Sequence, residues 1–250
     1  MVVRGKQESD ARGSGEDDVI PVLIGERCYP PRLRDIPAAP PRLFVRGRAK
    51  VLASLGLLAV VGSRGASIEG LATARELSAQ IASAGVGIVS GLAEGVDAVA
   101  HEAALAAGAE TIAVLGGGLD EISPPRNRPL ARQIVSAGGA LISEQTPGTP
   151  ARTRYLVARN RLISGIAAAV LIIECELGSG TLHTVRFAAE QGRPIFVPPP
   201  TQGDREGEGV RLVRERFGAR TFDEELLAEA LATPVPPADR APSQLRLDAD

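Results

Sequence analysis

Between residues 57 and 198, six apolar runs of strand length alternate with stretches of helical length, most of them rich in alanine, and this alternation leaves few architectures open. The runs are LLAVVG (57–62), VGIVSG (86–91), TIAVLGG (111–117), ALIS (140–143), AAVLIIE (168–174) and PIFVP (194–198). Helical periods at 68–85, 96–108, 129–139, around Tyr155–Gly165 and at 181–192 separate them, several ending in glycine. Strands apolar on both faces cannot sit at a wet surface, so each must be covered by the helices that connect them. The pattern predicts an α/β domain with a doubly wound, mostly parallel Rossmann-like sheet and helices on both faces. Aromatics make up only 3% of the chain, so its core must be built from Ala, Val, Leu and Ile.

The flanks read differently. Residues 1–18 mix both charge signs and predict a disordered arm, and the Pro-rich acidic tail at 233–250 predicts no fixed structure. The proline-dense segment 19–55 predicts an extended lead-in without regular structure. That leaves 56–232 as the core. No apolar run approaches the ~18 residues a bilayer requires, and the N-terminus lacks an apolar signal region, so a cytoplasmic protein with no membrane partner is expected. Cys28 and Cys175 stand alone, which excludes a disulfide framework and a cysteine-rich metal site.

A net charge of −2 conceals a basic body. Residues 1–18 hold three bases and five acids and residues 223–250 two bases and seven acids, leaving 23 bases and 18 acids between them. Only Lys6 and Lys50 are lysines, so the cations are nearly all arginines, whose planar forks suit phosphates and base stacking. An arginine-rich genome would give the same bias.

Ligands of open α/β sheets lie beyond the carboxyl ends of the strands, which selects the loops for inspection. Four share a chemistry: Gly62, Ser63, Arg64 and Ser67 after the first run; Ser90, Gly91 and Gly95 after the second; Gly116 and Gly117 after the third; and Gly178, Ser179, Gly180 and Thr181 after the fifth. Glycine admits close backbone approach, and a helix N-terminus beyond it favours an anion, so these loops can cradle phosphate or simply make tight turns. A P-loop is excluded, since no lysine follows position 50. VGSRG is not a dinucleotide fingerprint, HEAAL at 101–105 lacks the second histidine of a zinc peptidase, and no G-x-S-x-G elbow occurs, so neither cofactor nor metal is expected. Asp97 and His101 share a helix face, either near the ligand or as a bonded pair fixing the helix start. The stretch from Pro147 to Ile173 has no acid but holds Arg152, Arg154, Tyr155, Arg159 and Arg161, a basic cluster with an embedded ring as single-stranded nucleic acid recognition uses.

The ordered motifs VVGSRGAS, IVSGLAEGVDAVAH, TIAVLGGGLD, LISE, ARNRLISG and SGTLHTVRFAAEQGRP, with YPPRLRDIP and PPRLFVRG upstream, resemble the DNA-processing protein A (DprA, or Smf) family over about residues 29–222. The resemblance implies a bacterial cytoplasmic protein that binds single-stranded DNA, forms homodimers and helps load the RecA recombinase during natural transformation. It also implies a pocket lined by Arg64, Arg152, Tyr155, Arg159, Asn160 and Arg161. Many members carry an N-terminal helical domain and a C-terminal winged helix, neither of which is expected within these 250 residues. Pro198-Pro199-Pro200 replaces the family's Pro-Gly turn and Ser123 its aromatic, which predicts an altered rim, and the acidic tail is expected to screen the groove. The competing class is a nucleoside-monophosphate phosphoribohydrolase-like protein, in which Gly178–Thr181 holds phosphate and Glu174 or Glu176 is the acid or base. A binding-only sensor of a small nucleotide is a third reading.

Overall fold

The computed structural model describes residues 18–200 and 207–232, so the arm before Asp18 and the tail at 233–250 lie outside the described residues. Strands β1 (Val19–Leu23) and β2 (Arg42–Gly47) come first, and the six apolar runs follow as β3 (Leu57–Val61), β4 (Gly87–Ser90), β5 (Thr111–Leu115), β6 (Ala140–Ser143), β7 (Ala169–Ile172) and β8 (Ile195–Val197). Helices α1 (Ile68–Ser83), α2 (Val96–Ala106), α3 (Arg128–Ser136), α4 (Thr153–Ile166) and α5 (Gly180–Glu190) join the six. Then come α6 (Glu208–Phe217), the two-residue β9 (Arg220–Thr221) and α7 (Glu224–Ala232). The nine strands among the described residues form one sheet in the order β1-β2-β6-β5-β4-β3-β7-β8-β9. From β6 to β9 every pairing is parallel.

Alternation along the central strands feeds two cores. Leu57, Ala59 and Val61 of β3 join Val170 and Ile172 of β7 on the face covered by α4, α5 and α6. Leu58 and Val60 point the other way, with Leu171, toward α1 and α2. The apolar side of α7 is used here too: Leu227 and Ala230 pack with Leu77 and Ile81, and Gln80 bonds Glu224 at 2.7 Å. α7 thus caps this core.

The lead-in departs from expectation. β1 and β2 form an antiparallel pair, and β2 pairs antiparallel with β6, extending the sheet at that edge. Proline did not prevent this, because Pro21 sits in the outermost strand, where one face of the backbone needs no partner, and the other prolines fall between the strands. The intervening segment packs against α4: a Cβ on Gly165 would meet Leu33 and Ile36 at 2.7 and 3.0 Å. Arg193, almost wholly buried, ties the two together by donating to Ser164 O, Gly165 O and Arg32 O, satisfying carbonyls at the end of α4.

Tyr29 is fully buried in this segment and its hydroxyl donates to Pro40 O at 2.7 Å. Burial pushes the phenol well above its ordinary range, so the donor stays protonated. Tyr29→Phe strands a buried carbonyl and is expected to lower stability by about 1–2 kcal/mol. Urea denaturation read at the far-UV helical signal checks this; an unchanged midpoint would show the bond to be dispensable.

Candidate nucleic-acid interface

The strand order reverses between β3 and β7, because α1, α2 and α3 carry the chain one way across one face and α4 crosses back over the other. Loops at the carboxyl ends of two such neighbours depart to opposite faces and leave a crevice between them. A concavity of about 600 Å³ lies there, lined by Gly62, Ser63 and Arg64 from the β3 loop, Gly178–Thr181 from the β7 loop, and Thr153, Leu156 and Asn160 from α4. A second, of about 210 Å³, opens over the ends of β4 and β5 and is lined by Gly91, Gly116 and Gly117. Arg64, Ala93, Leu156 and Arg159 border both, so the two are confluent.

The glycines do different work. A Cβ at Gly116 would meet Leu156 at 2.8 Å, and one at Gly117 would meet the Ala151 backbone at 2.9 Å, so these residues let the N-terminal turn of α4 settle on the strand ends. Gly95 has φ 77° and ψ −129°, and a side chain there would overlap the carbonyls of Ser63 and Arg64. Gly91 is the seat of an arginine: a Cβ would overlap the Arg159 guanidinium.

Arg159 is 6% exposed and donates through Nη1 to Val114 O, while its Nε has no partner among the described residues. Burial lowers its pKa to about 10, with Asp97 opposing the fall and Arg64 adding to it. Asp97, equally buried, accepts from Gly91 N at 3.1 Å and Ala93 N at 3.3 Å; burial raises its pKa against the pull of Arg159 and those amides. His101 does not bond Asp97, contrary to the pairing reading: its Nδ1 meets Thr111 Oγ1 at 2.7 Å. The Asp97 carboxylate accepts instead from the β4 loop amides. Burial and the nearby Arg159 push the imidazole down to about 3, so it stays neutral.

Not every candidate reaches the crevice. Ser67 caps α1, accepting from Gly70 N at 2.9 Å, and its hydroxyl donates to Glu174 Oε2 at 2.6 Å while its amide also donates to that carboxylate. It therefore staples the β3 loop to the β7 loop, and Glu174 is committed with it. Ser90 is fully buried and donates to Val60 O at 2.7 Å, so it serves the sheet. Arg161 turns toward the lead-in, with a bidentate pair to Glu144 at 2.7 and 2.9 Å and an Nε bond to Ala38 O. The helix period explains this: two residues beyond Arg159 lies a different side of α4. Arg152 and Tyr155 do not line either concavity. Arg152 is exposed between Ala151 and Thr153, which do, and the Tyr155 ring lies under the Arg154 guanidinium at 4.6 Å. Asn160 lines the larger concavity and bonds Gly180 O at 3.2 Å, tying α4 to the β7 loop. The Asp97 and Glu174 contacts were missed as loop organisers. Each is fixed by backbone amides or a hydroxyl from another segment, which spacing does not reveal.

Fold and cleft together define a Rossmann-like α/β domain with an arginine-bearing cleft at its topological switch point. The chain belongs to the DNA recombination-mediator protein A family, whose pattern it matches over residues 21–230. It is 43% identical to protein Smf of Escherichia coli K12 over 200 residues, covering 80% of this chain and 53% of that protein. It is 36% identical to DNA processing protein DprA of Streptococcus pneumoniae R6 over 225 residues, 89% of this chain and 79% of that one. The chain thus spans about half the length of the Smf proteins it matches. Among solved structures, S. pneumoniae DprA superposes with a TM-score of 0.75 at 36% identity, covering 84% of this chain and 74% of that one. DNA processing protein A of Helicobacter pylori, whose structure concerns its single-stranded DNA binding mode, superposes with a TM-score of 0.73 at 27% identity, covering 84% and 95%.

The buried His101 sets an acid limit. Its folded pKa lies below the unfolded 6.5, so the stability it contributes is complete above 6.5 and is lost as pH falls toward about 3. The loss should approach about 1.4 kcal/mol per pH unit, offset in the carboxylate range by Asp97, which takes up its proton more readily folded than unfolded. Urea midpoints of the parent between pH 7 and 5 should fall more steeply than those of His101→Gln; parallel curves would refute the assignment.

Proposed function

We propose that the confluent cleft grips unpaired DNA without sequence preference, and that the protein is a non-catalytic DNA-processing protein assisting RecA loading in recombination and natural transformation. One observation carries this reading: Arg64 borders both concavities beside glycine-lined strand ends, with Arg159 and Asn160 on the opposite wall. Guanidinium groups there meet phosphates, the glycine turns let the sugar–phosphate chain come close, and Leu156 with Val157 offers apolar surface to bases. The H. pylori relative's single-stranded DNA binding supports the choice of ligand. Arg152, Arg154 and Tyr155 at the start of α4 extend the grip along the rim. Homodimer formation and a cytoplasmic location belong to the same proposal; no described helix is long and apolar enough to cross a membrane.

The hydrolase alternative needs a free carboxylate at the phosphate loop. Glu174 is held by Ser67, which leaves the exposed Glu176 as its only candidate of the two.

Single-stranded oligonucleotide binding by fluorescence anisotropy across a salt series tests the proposal. Arg64→Gln and Arg152→Gln should each reduce the slope of log K against log salt by about 0.7, the value for one phosphate contact on a single strand. Tyr155→Ala should weaken binding by ~1–3 kcal/mol through lost stacking. Three variants that bind like the parent would place the site elsewhere.

A further inference from the structure

A second basic groove lies outside the cleft. It has a volume of about 630 Å³ and runs along α3 where that helix covers β6 and β2. Three arginines line it: Arg46 from β2, and Arg128 and Arg132 from α3. Asp120 is its acid, and that carboxylate accepts the Gly148 amide with both oxygens at 2.8 Å. Arg128 and Arg132 are exposed and form no ion pair among the described residues.

Their placement is electrostatically unfavourable for the helix itself. Arg128 opens α3, whose first turn holds no acid, so a cation stands at the positive end of the helix dipole. Arg132 follows at the i+4 position, a like-charge neighbour. Arg46 adds an Nε that is shielded from solvent and has no hydrogen-bond partner among the described residues. On the same side of β2, Arg42 stacks on Phe44 at 4.7 Å, and Phe44 packs into the core beneath α3. Two exposed guanidinium groups and a shielded donor without a partner among the described residues line one groove, and phosphates spaced along it would meet them.

The groove adjoins the cleft. Residues of the β5–α3 loop alternate between them: Asp120 and Ile122 line the groove, while Glu121, Ser123 and Pro124 line the smaller concavity. A chain leaving the cleft over this loop enters the groove directly. We infer that the α3 groove binds the phosphates of the same unpaired polynucleotide as it leaves the cleft, forming a second segment of one continuous track. This rests on the cleft binding single-stranded DNA.

The experiment compares a short oligonucleotide, about five nucleotides and able to fill the cleft alone, with one of about twenty. Binding of each to the full chain is followed by fluorescence anisotropy over a salt series. Arg128→Gln with Arg132→Gln should leave the short affinity within twofold of the parent and weaken the long one severalfold. Its salt slope for the long strand should fall by about 1.4, two contacts of about 0.7 each. Replacing both by lysine should restore the slope. An unchanged long-strand slope, or equal losses at both lengths, overturns the second segment while leaving the cleft reading intact. A parent that binds neither strand overturns the cleft reading and this one with it. Both arginines are exposed and their charges disfavour the helix, so the thermal midpoint should be no lower than the parent's, and a lower midpoint with losses at both lengths counts against the track.

Discussion

Two neighbouring parallel strands, β3 and β7, send their following helices to opposite faces of the sheet, and the opening this leaves is the constraint from which the site descends. Backbone amides and helix N-termini point into that opening whatever the side chains are. The chain adds glycines where α4 must come close and arginines, Arg64 and Arg159, along the walls. Ser67 and Glu174 then fasten the two loops across the gap, so its width is fixed by a hydrogen-bonded bridge and not left to loop mobility.

Below the opening lies a buried polar cluster of Asp97, Arg159 and His101. Burying charges is costly, and the cost is repaid only where each charge finds partners. Asp97 has two amides and the field of Arg159; Arg159 has a carbonyl and the space that Gly91 leaves. The consequence is a guanidinium held rigidly at the junction of both concavities. Under the proposed function, a rigid cation would lose little ordering entropy on meeting a phosphate, whereas an exposed arginine such as Arg152 would have to be ordered on binding.

The lead-in links this region to the rest of the molecule. Its strands complete the sheet beside β6, its Tyr29 and Leu33 fill the core against α4, and Arg193 fastens it to the end of that helix. The helix that carries Arg159 and Asn160 is therefore held at both ends: by Gly116 and Gly117 at its start and by Arg193 at its close.

Periodicity was sufficient for the six central strands and the five helices between them, because strands buried on both faces and amphipathic helices write their environment locally into the sequence. The glycine-rich turns and the arginines of α4 were legible for the same reason. What the sequence could not show was which of those polar groups would be spent on the fold. Arg159, Asn160 and Arg161 are consecutive, yet the first is buried against Gly91 at the border of both concavities, the second lines the larger one and bonds Gly180 O, and the third turns away to pair with Glu144. Proline density hid β1 and β2, whose pairing depends on an edge supplied by β6 from about a hundred residues away. Local composition fixes what an element is; the partners of a charged side chain are set by segments distant in sequence, and only the assembled chain brings them together.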